Sequence, residues 1–391
     1  MKKLRFVFLV FPLMLPADFS SYSAPQNDKN FVIMAYYVAS RDNYHPEQLP
    51  LDQLTHIIFS FTQVVENEMK FRYEQSAEKL LLLSQQKKKH PHLKVMIACG
   101  GWGGSGGFSG MASSAQNRKK FVDSAIEFIR HYNLDGLDID WEYPGMLGAG
   151  NPYLPEDREN FTALMRELRA AMDASDRDLT LTFASAGWKQ YYDHIELGEV
   201  MKYANYMNVM TYDLVSGGSP YTGHHTNLGW IKPENLSGTE AEKVSREKNR
   251  PLDPRSAEQI ITYCMNQGVD PGQIVIGAAF YGRAWKGVPP ENNGLYQKNE
   301  GVWIGWAPYA DIREKYEEKN GFTRYWDPIA KAPYLYNHTD SIFISFEDTV
   351  SVRLKTEYAL KNELGGIMFW ELGLDTKDYD LLGTIYESSN R

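Results

Sequence analysis

Cysteine is nearly absent from this chain: among 391 residues only Cys99 and Cys264 occur. A disulfide framework is thereby excluded as the source of stability, and a chain of this size can build a core without one. Cys99 ends a predicted strand and Cys264 falls in a predicted helix, so both are expected to be buried thiols. Excess positive charge is missing too. The formal net charge is −9, which argues against nucleic acid as a partner. No G-x-G-x-x-G follows an early strand, and no G-K-[ST] follows the Gly-rich stretch 100–107, so dinucleotide and P-loop readings fall away. Internal repeats, low-complexity linkers and an appended binding module are also lacking. After the first few residues no apolar run is long enough to span a bilayer.

What the N-terminus does hold is a targeting pattern. Lys2, Lys3 and Arg5 precede the apolar run 6–15, and small residues follow at 20–24. This reads as a secretory leader, residues 1–23, with cleavage after Ser23. No cysteine near that point could carry a lipid, so the expected product is secreted, in the periplasm or the medium, with no membrane anchor. Aromatics are plentiful, with 25 Tyr and 9 Trp. Many lie beside Gly or Pro, where flat rings suit sugar ligands, although any one of them is more readily explained by core filling.

After the leader, short apolar runs alternate with amphipathic stretches. Strands are expected at 31–38, 55–62, 93–99, 134–140, 179–184, 206–211, 274–280 and 365–370. Such runs fit parallel strands buried on both faces. The clearest helices are 117–132, 157–173, 254–268 and 348–363, with Pro254 near one start and Gly268 at its end. Eight strands interleaved with helices imply an α/β chain folded as a (β/α)8 TIM barrel, with an open doubly wound sheet as the alternative. Two intervals exceed ordinary loops. The first, 212–253, reads as a substrate-side loop. The second, 281–364, holds too many aromatics for a loop and includes the strand-like 341–346. It implies a small α+β insertion over 286–345, between a barrel portion 24–285 and a closing portion 346–391.

The chemistry concentrates in Asp135-Gly136-Leu137-Asp138-Ile139-Asp140-Trp141-Glu142-Tyr143-Pro144. In a strand alternate side chains share a face, so Asp138, Asp140 and Glu142 point one way at intervals of about 7 Å. Like charges in such a row are costly unless protons are shared. Glu142, at the strand tip, is the one a ligand can reach. A negative Asp140 beside it would raise its pKa and keep it protonated, as a general acid requires. D-x-D-x-E also offers oxygen ligands, but a metal draws ligands from several elements and no suitably spaced partner is evident, so no metal and no cofactor is expected. His224 and His225 are read as a solvated or hydrogen-bonded loop pair. If a glycoside is the substrate, a retaining enzyme places a second carboxylate across the bond. Asp140 shares a strand and a side with Glu142 and is badly placed for that. Either Asp213 serves from another strand, or the substrate supplies its own nucleophile.

This segment resembles the D-x-x-D-x-D-x-E signature of glycoside hydrolase family 18, the chitinase family. Similarity continues along nearly the whole mature chain. Ala35-Tyr36-Tyr37 resembles the family's G-Y-Y segment and Ala98-Cys99-Gly100-Gly101-Trp102 its S-x-G-G-W. Met207 to Asp213 resembles the strand 6 motif, Phe280-Tyr281-Gly282-Arg283 the F-Y-G-R motif, and Gly366 to Glu371 strand 8. The resemblance implies substrate-assisted retaining hydrolysis of β-1,4 bonds between N-acetylglucosamine units, by a chitinase acting as a monomer on chitin or chitooligosaccharides. Glu142 would be the acid. Asp140 would orient the acetamido N–H and balance charge, Asp138 would share a proton with Asp140, and Tyr212 would bond the acetamido oxygen. Tyr36, Trp102, Met210, Asp213, Tyr281 and Arg283 would bind substrate, and Trp370 would floor the site. Asp135 would be structural. The insertion resembles that of one family branch.

Trp102, Trp188, Trp230, Trp285 and Tyr221 are candidate sugar platforms. One departure stands out: Ala98 occupies the place of a Ser that donates to the deeper Asp, so Asp138 is expected to lose a partner, worth about 1 kcal/mol, with Tyr36 or water compensating and proton sharing altered without loss of activity. Two other activities fit less well. An endo-β-N-acetylglucosaminidase acting on N-glycans would need a different groove, and a non-catalytic lectin would be expected to lack Glu142.

Overall fold

The computed structural model describes residues 31–39, 45–249 and 251–390. The expected leader, 1–23, lies outside them. Among the described residues no helix is long and apolar enough to cross a membrane.

Eight parallel strands close into a barrel. They are β1 (Val32–Tyr37), β2 (His56–Val65), β4 (Lys94–Gly100), β5 (Gly136–Asp140), β6 (Thr180–Ala186), β7 (Tyr206–Met210), β8 (Ile274–Ala279) and β14 (Gly366–Trp370). The ring closes where β1 pairs with both β14 and β2. In the same sheet, β3 (Glu68–Phe71) lies outside the ring, hairpinned antiparallel to β2. Each strand falls within a few residues of its sequence-based position, because apolar side chains on both faces leave it no solvated alternative. In β5 even the acids are buried. The surrounding helices are set by caps. Ser114 and Ser256 accept from the first-turn amides of Asn117 and Gln259, and Asp348 forms a capping box with Ser351. The helix expected from Pro254 therefore starts at Ala257, after the Ser256 cap.

A second, antiparallel sheet has the order β10-β9-β13-β12-β11. Its strands are β9 (Tyr281–Lys286), β10 (Gly301–Pro308), β11 (Phe322–Asp327), β12 (Ala332–Asn337) and β13 (Ile342–Ser345). The sheet thus begins at Tyr281, ahead of the 286 boundary drawn from sequence. Only Phe280 separates β8 from β9, and its ring stacks on Phe369 at 4.1 Å. Tyr281 and Arg283 therefore leave the barrel directly along its mouth.

The long segment after β7 is not a free loop. Ile231, Leu236 and Ala241 from it share a buried cluster with Trp285, Val288, Leu295, Tyr334, Tyr336 and Phe343 of the second sheet. Thr222 also donates its backbone N–H to Gln297 O at 2.8 Å. Both cysteines are free and buried, as expected, and burial pushes each thiol up to about 12.

Candidate active site

The acid row runs outward along β5. Exposure rises from 0% at Asp138 to 4% at Asp140 and 8% at Glu142, so Glu142 is the accessible tip. Pairing of β5 with β6 puts Thr182 directly beside Asp138. Its hydroxyl donates to Asp138 Oδ1 at 2.6 Å, Asn208 Nδ2 donates to the same oxygen at 3.2 Å, and Tyr36 OH donates to Oδ2 at 2.9 Å. Ala98 has no hydroxyl to donate, and Tyr36 compensates as expected, while Thr182 and Asn208 are donors the sequence reading did not name. Ala98 is the neighbour of Asp138 on β4, but β1, β6 and β7 supply three donors. Burial still lifts Asp138 to about 6, with those bonds pulling the other way.

Asp140 differs. Its Oδ1 is buried and has no hydrogen-bond partner. Burial, then the charges of Glu142 and Asp138, hold it well above the ordinary carboxylate range. Glu142 is pushed up to about 7. The direction agrees with the sequence reading, but the cause does not: burial leads and the Asp213 charge adds to it, against a hydrogen bond with Tyr143.

Backbone close approach explains the Gly-rich stretch. Gly100 and Gly101 have φ of +117° and +79°, and a Cβ on Gly100 would sit 2.0 Å from the Asp140 carbonyl oxygen. Gly101 N donates to that oxygen at 2.8 Å. Ser105 Oγ accepts from Glu142 N at 2.9 Å. These contacts lock the backbone under the acid row. The following loop is held by buried Asp157, whose Oδ2 accepts from Ser109 Oγ, Gly145 N and Leu154 N. Sequence reading took Asp157 only as a helix start.

The remaining side chains come from the C-terminal ends of the other strands, where a barrel keeps its site. Tyr212 OH meets only the Met368 sulfur, at 3.9 Å. Asp213, at φ +54°, accepts from Arg283 Nε at 2.7 Å and forms an ion pair with its Nη2 at 2.7 Å. Trp370 stacks on Phe61, centroids 5.4 Å apart, with Tyr36 at 5.8 Å. A cleft of about 610 Å³ joins these groups and is lined by Tyr36, Trp102, Asp140, Glu142, Met210, Tyr212, Asp213, Tyr281, Arg283 and Trp370, but not by the deeper Asp138.

Of the candidate platforms, Trp102 and Trp188 line the cleft. Trp285 does not: it is fully buried in the second sheet, with its Nε1 donating to Gly217 O. Trp230 and Tyr221 also stand outside the lining, and Tyr221 bridges to Lys298 instead. His224 and His225 are buried rather than solvated. They pair with Asp327 Oδ2 and Tyr281 O at 3.0 and 3.1 Å. Among the described residues no group of three His, Cys, Asp or Glu is placed to hold a metal ion. Asp135 sits at the far end of β5, accepting from Val95 N and paired with Lys87 and Arg177. Sequence reading missed Phe61, Tyr143, Arg255 and Trp306 in the lining. Only Tyr143, next to Glu142, carried a positional signal.

Comparison with known proteins agrees with this geometry. Residues 33–375 match the family model for glycosyl hydrolases family 18. Chitinase A1 of Niallia circulans is 36% identical over 307 residues, covering 75% of this chain and 42% of that protein. The chain thus spans less than half the length of that relative. Among solved structures, a family 18 N-acetylglucosaminidase from Paenibacillus barengoltzii superposes with TM-score 0.81 at 37% identity, covering 92% of this chain and 100% of that one. The Group IV chitinase of Ostrinia furnacalis, solved in complex with allosamidin, gives TM-score 0.80 at 26% identity, covering 92% and 98%. With its acid row on the fourth strand of a closed (β/α)8 barrel and a family match along most of its length, the chain belongs to glycosyl hydrolase family 18.

Proposed function

We propose that the protein is a secreted chitinase that hydrolyses β-1,4 bonds between N-acetylglucosamine units with the substrate's own acetamido group as nucleophile. The observation that carries this reading is the buried, unpartnered Asp140 Oδ1, on a residue that lines the same cleft as Tyr212, whose hydroxyl is weakly held. A buried polar atom without a partner costs free energy and is accounted for by a ligand group that completes it. An acetamido N–H donating to Asp140 and an acetamido carbonyl accepting from Tyr212 would complete both.

In this mechanism the acetamido oxygen attacks the anomeric carbon as the glycosidic bond breaks, forming an oxazolinium ion. Glu142 gives its proton to the departing oxygen, for which a pKa of about 7 suits it. The proton on Asp140 passes to Asp138, which burial lifts to about 6 against its three donors, so Asp140 can balance the cation. Water, deprotonated by Glu142, then opens the ring with retention. Asp213 is a poor protein nucleophile because Arg283 engages it. Trp370 on Phe61 offers a flat face under the reacting sugar. The chain works as a monomer and requires no cofactor, and its leader directs it to the periplasm or the medium.

A second reading has one observation in its favour. One solved relative that the chain covers over its whole length, at 37% identity, is described as an N-acetylglucosaminidase, which points to release of single sugars from chain ends. Product profiles on chitooligosaccharides of defined length separate the two. Internal cuts giving dimers and longer fragments support the chitinase, and monomer as the sole early product supports the second reading. Cleavage of N-glycans with intact chitooligosaccharides would replace both.

A further inference from the structure

Arg255 lies two residues before the helix Ala257–Asn266 and lines the cleft. Its guanidinium carbon sits 4.7 Å from the centroid of the Trp188 ring. Tyr143, which follows Glu142, meets Trp188 edge-on at 5.6 Å and Trp102 at 6.3 Å. Three rings and one guanidinium therefore form a single wall on Glu142's side of the barrel. Trp102 follows β4 and Trp188 follows β6, the two neighbours of β5. Around the ring of eight, β14 with Trp370 lies four strands from β5 in either direction, which places it directly opposite. A sugar seated on Trp370 over the barrel centre puts its glycosidic oxygen at Glu142. The next sugar, the leaving group, then lies against the wall that contains Arg255.

Among the described residues no acid forms an ion pair with Arg255. Of the other two arginines that line the cleft, Arg72 and Arg283, Arg283 is taken by Asp213. The strongest acidic influence on Arg255 is Asp253, which acts through charge without a hydrogen bond. An arginine stays charged at any working pH, and the Trp188 face holds its planar group in place. Asp140 and Glu142 hold their protons under mild acid, so they offer little compensating charge where an amine is fully protonated.

We propose that Arg255 is a specificity-determining residue of the leaving-group side, admitting an N-acetylated sugar and excluding a deacetylated one. The proposal rests on the hydrolytic reading above. An acetamido group brings a carbonyl that can accept from the guanidinium, whereas a free 2-amino group brings an ammonium that can only donate and carries the same charge. Two such charges some 7 Å apart in a partly desolvated cleft give a discrimination of about tenfold.

The test is digestion of partly N-acetylated chitosan by the wild type, Arg255→Gln and Arg255→Lys, with mass-spectrometric sequencing of the newly formed non-reducing ends. These ends report the sugar that occupied the leaving-group side. In the wild type the ratio of N-acetylglucosamine to glucosamine at these ends should be about tenfold higher than in the polymer. Arg255→Lys should keep that bias, because it keeps the charge, and Arg255→Gln should lose it. Wild-type ends that mirror the polymer composition, or an unchanged bias in Arg255→Gln, would overturn the proposal. Binding to the Glu142→Gln variant provides a readout without turnover: adding Arg255→Gln should narrow the affinity gap between acetylated and deacetylated oligomers, and an unaltered gap would also overturn it. Failure of the wild type to cleave fully acetylated chitohexaose would instead count against the hydrolytic reading.

Discussion

Glu142→Gln should stabilise the protein, and by an amount that depends on pH. Folding moves the Glu142 carboxyl from an ordinary 4.5 to about 7. An acid raised in the folded state is penalised wherever the unfolded chain has already ionised. The sign follows directly. Below pH 4.5 both states are protonated and there is no penalty. Between 4.5 and about 7 the penalty grows, and above 7 it is complete. The difference of about 2.5 units corresponds to about 3 kcal/mol at pH 8. Glutamine keeps the shape and cannot ionise. It also removes the Glu142 charge that helps hold Asp140 high, which acts in the same direction. Urea unfolding of the wild type and Glu142→Gln at pH 4 and pH 8 measures this. The variant should gain about 3 kcal/mol at pH 8 and close to nothing at pH 4. An equal difference at both pH values, or a variant less stable at pH 8, would refute the reasoning that the acid row is stored at the expense of stability.

Four further outcomes follow from the same geometry. With Glu142 as the acid, kcat/KM should fall about tenfold per pH unit above about 7. Asp213→Asn removes a charge that raises Glu142 and frees Arg283, so that limb should move to lower pH by about one unit, read from the pH–rate profile. Tyr36→Phe takes one of three donors from Asp138 and should lower kcat about tenfold to hundredfold. Binding of a chitooligosaccharide should be nearly unaffected, as calorimetry can check. Lys355→Met should cost about 3–5 kcal/mol in chemical denaturation, because it strands Glu347 in a fully buried ion pair, and adding Glu347→Gln should recover part of that.

The barrel was legible because its signal is local and repeated. Each parallel strand is a short apolar run, and β5 announces its acids by strict alternation. Boundaries moved only where side-chain capping decides them, as at Ser256. The Asp138 donors were half legible: Tyr36 came with a recognisable segment, but Thr182 and Asn208 become partners only through the register of β6 and β7 against β5. Phe61 and Arg255 carried no signal, since a phenylalanine inside a strand and an arginine before a helix look the same wherever they end up. Trp285 misled for the converse reason: an indole near a barrel end is equally suited to a second core. The cause of the Glu142 shift was not legible because sequence shows neighbours along the chain, whereas burial leads that shift and Asp213 adds to it across the barrel mouth.

The central claim is that the substrate, not the protein, supplies the nucleophile. It is tested most directly by comparing the turnover of chitohexaose with that of its analogue bearing 2-hydroxyl in place of every 2-acetamido group. The account predicts hydrolysis of the first and none of the second, since Asp140 and Tyr212 would have nothing to orient. Comparable cleavage of both, with a glycosyl group trapped on Asp213 by mass spectrometry, would contradict it.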